Sequence, residues 1–195
     1  MELAVLYGIQ QVFATPVLDA LMPAFTFLGN NGLIWILVCV ALTIAPEYRV
    51  WGITCFLAMG AAWVLGEHVV KPLVARPRPF MVDPTFQLLV PPPHGYSFPS
   101  GHTITGFAVS TVLAFSTLKR GWKIGSFTLA TLIAFSRLYL FVYNPTDVLA
   151  GALWGAAFGL AAVWLLRRTR FEPHCARGGC AHASRARGSK SRKLP

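Results

Sequence analysis

The sequence predicts an all-α fold, a polytopic membrane helical bundle with five or six transmembrane helices, and three observations carry that prediction. Of 195 residues, 55% are hydrophobic and only 12% are charged, too apolar a balance for an ordinary soluble domain. Five stretches, roughly 24–44, 50–70, 102–118, 123–142 and 147–166, are nearly free of charge and close to the ~20 residues that a spanning helix needs. Short polar breaks separate them, a succession that buried helices of a soluble core do not produce.

Ahead of the first stretch, Leu3, Leu6, Tyr7, Ile9, Gln10 and Phe13 form an imperfect amphipathic pattern ended by Pro16. It suits a helix lying in the interface, and a sixth span beginning near residue 3 is the alternative. Glu2 stands where a signal peptide would carry basic residues, so this segment is expected to be retained. The third stretch is short and opens with polar residues, which puts its first turn at the water interface. Cys39 and Cys55 fall within spans and read as apolar side chains.

Lys and Arg set the orientation, because cytoplasmic loops are enriched in them. Arg49, then Lys119, Arg120 and Lys123, then Arg167, Arg168 and Arg170 fall on one side of a five-span thread, read as cytoplasmic. Segments 71–101 and 143–147 then face outward. The chain divides into a membrane-embedded domain, 1–166, and a basic tail, 167–195. That tail holds nine of the seventeen Lys and Arg against one acid, Glu172. It is expected to be disordered, cytoplasmic and drawn to anionic headgroups rather than to nucleic acid. His174, Cys175, Cys180 and His182 have no standard zinc spacing, so no metal site is expected there.

Three polar clusters interrupt the apolar pattern, all at outward helix ends. In the first, Lys71-Pro-Leu-Val-Ala-Arg-Pro-Arg78-Pro79, prolines at 72, 77 and 79 forbid a continuing helix and hold the cations in a fixed extended path suited to phosphate. Ordinary snorkelling of Lys and Arg is the plain alternative. The second, Ser97-Phe-Pro-Ser100-Gly-His102-Thr103, opens a helix whose free N–H groups and dipole form an anion site. Ser100 can cap it, Gly101 lets an oxyanion approach, and His102 can exchange a proton. In the third, Ser136-Arg137 precedes Tyr143-Asn-Pro-Thr-Asp147. An arginine within an apolar helix faces a partner or polar cavity, while Asp147 can cap the next helix or orient a site residue.

These clusters resemble the three ordered motifs of the type 2 phosphatidic acid phosphatase family: Lys, six residues, Arg-Pro; Pro-Ser-Gly-His; and Ser-Arg, five residues, His, three residues, Asp. Lys71 to Pro79 and Pro99 to His102 match throughout, whereas the third motif has Tyr143 in place of its histidine. Leu18-Asp19, Leu28-Gly29-Asn30 and Asp147 to Gly151 are similar to small bacterial members acting on undecaprenyl pyrophosphate or phosphatidylglycerol phosphate. The likeness covers roughly residues 1–166.

The resemblance implies that Lys71, Arg78 and Arg137 grip phosphate oxygens, completed by Ser100 and the Gly101 N–H, without a metal or other cofactor. It also implies that His102 protonates the leaving alkoxide, while a histidine at 143, oriented by Asp147, would attack phosphorus. Hydrolysis of a phosphomonoester or pyrophosphate of a membrane lipid is the function implied, with competence resting on what replaces that histidine. Tyr143 itself, His68 and His94 are the substitutes available. The alternative is a lipid-phosphate-binding pseudoenzyme, carrier or partner subunit. The implied setting is a bacterial plasma membrane with the site outward and a phosphorylated lipid as partner; homo-oligomerisation stays open.

Overall fold

The computed structural model describes residues 1–169, and no strand occurs among them. Nine α-helices follow in order: α1 Glu2–Phe13, α2 Pro16–Gly29, α3 Leu33–Ile44, α4 Arg49–Leu65, α5 Lys71–Val74, α6 Pro79–Val82, α7 Gly101–Ala114, α8 Arg120–Tyr139 and α9 Pro145–Arg168. A 3₁₀ turn, Asn30–Gly32, joins α2 to α3, and a π turn, Gly66–Val70, joins α4 to α5. The tail expectations, including those for His174, Cys175, Cys180 and His182, lie outside the described residues.

Among the described residues, three helical stretches are long and apolar enough to cross a membrane: Pro16–Ile44, Arg49–Val82 and Pro145–Arg168. Of the other two expected spans, α7 has only 14 residues. Helix α8 has 20 but carries Arg120, Lys123 and Arg137.

Two expected boundaries need correction. Stretch 24–44 is not one straight helix. Asn31 at φ 52° and Gly32 at φ 70° adopt left-handed backbone and end α2. Helix α2 starts earlier, at Pro16 in the first turn, where Thr15 accepts from Leu18 N at 3.3 Å. Its contacts with Ile133, Arg137 and Tyr139 fall on the last two turns of α8. The second correction concerns Pro72, which does not stop the helix at Lys71. The π turn shifts the ladder so that Lys71 N–H reaches Gly66 O, and helix continues to Val74. The break comes at Ala75, φ 48°.

The core is centred on α7, buried from Thr103 to Leu113 apart from the half-buried Phe107 and enclosed by α4, α8 and α9. Lipid is as apolar as these side chains, so close backbone approach and van der Waals contact hold the helices together. Gly151, Gly155 and Gly159 form one stripe of α9 against α7. A Cβ at Gly155 would strike the Ile104 carbonyl and lie 2.9 Å from Ala108 N, and one at Gly159 would lie 2.8 Å from Ala108 O. Trp154 Nε1 adds a 3.1 Å bond to Ala62 O.

This packing gathers the polar clusters. Helices α4 and α8 end, and α7 and α9 begin, at the same end of the bundle. Arg49, Lys119, Arg120, Arg167 and Arg168 lie at the helix termini of the other end.

Candidate active site

Each motif arrives on a locally determined scaffold. Arg78 precedes Pro79, which opens α6, and its segment is tied to the second motif by Ser97 N to Arg76 O at 2.9 Å and Ser97 Oγ to Pro77 O at 3.1 Å. Tyr143 is delivered by the turn after α8. There Phe141 N–H bonds Leu138 O at 3.0 Å and Val142 N–H bonds Arg137 O at 3.3 Å, while Phe141 takes φ 59° at a position that usually needs glycine. A stack on Phe86 with centroids 4.0 Å apart, and an edge contact from Tyr7, hold Phe141 there. Asn144 and Asp147 then form a capping box for α9, with Pro145 in its first turn.

One cavity of about 280 Å³ receives Lys71, Arg78, Gly101, His102, Arg137 and Tyr143, together with Gly29, Asn30, Trp63, Glu67 and His94. Two expected members stand behind it. Ser100 is fully buried, its Oγ accepts from Thr103 Oγ1 at 3.0 Å, and its side chain makes no cap bond to α7. Asp147, 0% exposed, spends Oδ2 on Asn144 N at 2.8 Å and Oδ1 on Arg76 Nη1 at 2.7 Å. Ser100 N also bonds the Asp147 carbonyl at 3.1 Å, so both residues lock the second motif to the third.

The cations are held firmly. Buried Arg78 donates Nε to Gly95 O at 2.9 Å, Nη1 to Val142 O at 3.1 Å and Nη2 to His94 O at 3.0 Å. Arg137, also buried, donates Nη1 to Thr26 Oγ1, while its Nε has no hydrogen-bond partner among the described residues. A guanidinium at such depth costs on the order of 3 kcal/mol, so an unused buried donor beside a cavity marks a place for an anion. Lys71 Nζ lies 2.7 Å from both oxygens of Glu67. His102 Nε2 lies 3.0 Å from Asn30 Oδ1, and the His102 ring packs against Gly29, where a Cβ would come within 2.6 Å of Cδ2.

Buried Tyr143 sits between the two arginines, its ring centroid 4.6 Å from Arg78 Cζ and 5.1 Å from Arg137 Cζ. Burial pushes the phenol pKa up, but Arg78, Lys71 and Arg137 outweigh it and hold it below the ordinary tyrosine value. Of the other substitutes, His94 lines the cavity, whereas exposed His68 does not and instead makes an edge contact with Trp63. Glu67, Trp63 and the Asn30 contact with His102 lie outside the sequence motifs. The four-residue spacing of Glu67 and Lys71 on one helical run was the available signal for the first. Among the described residues, no three of His, Cys, Asp and Glu gather closely enough to hold a metal ion.

Comparison with family profiles matches residues 51–171 to the PAP2 superfamily, a stretch containing all three motifs. The chain belongs to the PAP2 superfamily. Within it, the chain is 39% identical over 140 residues to an undecaprenyl-diphosphatase of Sulfolobus acidocaldarius, covering 70% of this chain and 66% of the relative. It is 31% identical over 135 residues to the bacitracin transport permease protein BcrC of Bacillus licheniformis, covering 69% and 65%. The matches therefore span just under two thirds of these PAP2 relatives. Among solved structures, Aquifex aeolicus LpxE superposes with a TM-score of 0.68 at 29% identity, covering 84% of this chain and 94% of that one. A PAP2-type phosphatidylglycerolphosphate phosphatase from Bacillus subtilis shares the fold, with a TM-score of 0.69 at 24% identity and coverage of 87% and 86%.

Proposed function

We propose that this protein is a membrane phosphatase that hydrolyses a phosphate or diphosphate ester of a membrane lipid. The observation that carries the reading is the buried Nε of Arg137, a guanidinium donor without a partner among the described residues, beside a cavity also lined by Lys71, Arg78 and His102. Three cations and the first turn of α7 suit the negative charge of a transferring phosphoryl group. The relative named as an undecaprenyl-diphosphatase favours a polyprenyl diphosphate as substrate. Lys and Arg at helix termini opposite the site support a site facing outward and a cytoplasmic tail.

In the reaction proposed, Tyr143 Oη attacks phosphorus as His102 takes the phenol proton, forming an aryl phosphate as the bond to the leaving oxygen breaks. His102 gives that oxygen its proton. Water then cleaves the aryl phosphate, with His102 taking the proton from water. The depressed phenol pKa supports this role for Tyr143. A lipid-phosphate binder is the second reading, favoured by one observation: Asp147 is engaged by Arg76 and Asn144, leaving its carboxylate to orient neither a phenol nor an imidazole.

Release of orthophosphate by the purified protein from undecaprenyl diphosphate, phosphatidylglycerol phosphate and phosphatidate tests both. Turnover that Lys71→Ala and Arg137→Ala each abolish supports the phosphatase. Binding of these lipids without turnover favours the second reading, and neither binding nor turnover overturns both.

A further inference from the structure

Among the described residues, Glu67 is the one acid lining the cavity. Its two oxygens each lie 2.7 Å from Lys71 Nζ, and a Cβ at Gly101 would lie 3.4 Å from its Oε2. The carboxylate therefore rests against the first residue of α7 as well as on the ammonium, where a phosphoryl oxygen would make the same contacts. Glu67 belongs to the π turn that precedes Lys71, a rare helical defect that recurs at functional sites. An ordinary i,i+4 pair on a helix surface would look similar in sequence. Here, however, the Lys71 side chain is only 9% exposed and the pair faces the cavity.

We infer that Glu67 is a specificity-determining residue, an internal competitor that holds Lys71 until a more highly charged phosphate group displaces it. This rests on the reading of the cavity as a phosphate site and deepens it. The Arg78 and Arg137 pole binds one phosphoryl group in either case, whereas Lys71 becomes available only to a ligand that outcompetes a neighbouring carboxylate. A diphosphate brings a second anionic group and more negative charge than a phosphomonoester, so Glu67 widens the preference for diphosphates. Rejection by a like charge that the wrong ligand cannot displace is a common source of selectivity.

The test is calorimetric titration of the full chain in detergent with orthophosphate and with methylenediphosphonate, for wild type, Glu67→Gln and Lys71→Gln. Glu67→Gln should tighten orthophosphate by about tenfold or more while changing methylenediphosphonate less, because the competing charge is removed and Lys71 retained. Lys71→Gln should weaken methylenediphosphonate more than orthophosphate. Equal weakening of both anions by Glu67→Gln would make the residue a mere support for Lys71 and overturn the inference, as would unchanged affinities. A wild type that binds neither anion would overturn the phosphate site and this inference together.

Discussion

Arg76 Nη1 lies 2.7 Å from Asp147 Oδ1, so the buried carboxylate of the third motif is neutralised by an arginine of the first motif and not by residue 143. Arg76 is also bonded to Thr146 Oγ1, at 2.6 Å, and to Glu2. Arg76→Ala should lower stability by about 2 kcal/mol, a buried-pair loss discounted because the arginine is partly exposed. Arg76→Lys should lose less. Thermal unfolding in detergent measures both, and an unchanged midpoint for the alanine variant would refute the structural weight given to this pair.

The glycine stripe predicts a steep position dependence. Gly155→Leu should force α7 and α9 apart and cost several kcal/mol, at or above the ~1–3 kcal/mol typical of overpacking. Gly60→Leu, at a site with nothing within 4 Å, should change little. Comparable losses at the two positions, measured by denaturant-induced unfolding in micelles, would contradict the packing described.

Tyr143 should ionise below the ordinary tyrosine pKa of about 10. The difference between ultraviolet titrations of wild type and Tyr143→Phe isolates this phenol from the other four tyrosines. Arg137→Gln should move its transition toward higher pH. As an acid with a depressed folded pKa, Tyr143 adds stability that is complete above the unfolded value of about 10 and is lost as pH falls through the folded pKa. A transition at or above the ordinary value would remove the basis for a phenolate nucleophile.

Tyr143→Phe should abolish phosphate release, by at least roughly a hundredfold, while leaving orthophosphate affinity within a few-fold of wild type, since nucleophile loss affects the transition state far more than ground-state binding. Turnover surviving this change would point to His94 or to direct attack by water. Tyr143→His should restore only part of the activity, because Asp147 is already bonded to Arg76 and Asn144.

The fold class and most of the cavity were legible because they depend on local signals. Apolar runs marked the helices, and polar residues breaking those runs marked Lys71, Arg78, His102, Arg137 and Tyr143, all of which line the cavity. What was hidden depended on distant pairing or backbone geometry. No local pattern tells that Asp147 pairs with Arg76, 71 residues away, or that Asn30 meets His102 across 72. Pro72 read as a helix stop because the π turn that accommodates it has no sequence signature of its own.

Glu2 joins Arg76 and also accepts from Thr146 Oγ1 at 2.5 Å, across 144 residues. During synthesis α1 is made long before α9 exists. The carboxylate thus waits first for the loop bearing Arg76 and then for the opening turn of α9. This clamp closes only when α9 arrives, so a chain stalled before Pro145 can hold most of its helices and still lack the tie that joins α1, the Arg76 segment and α9.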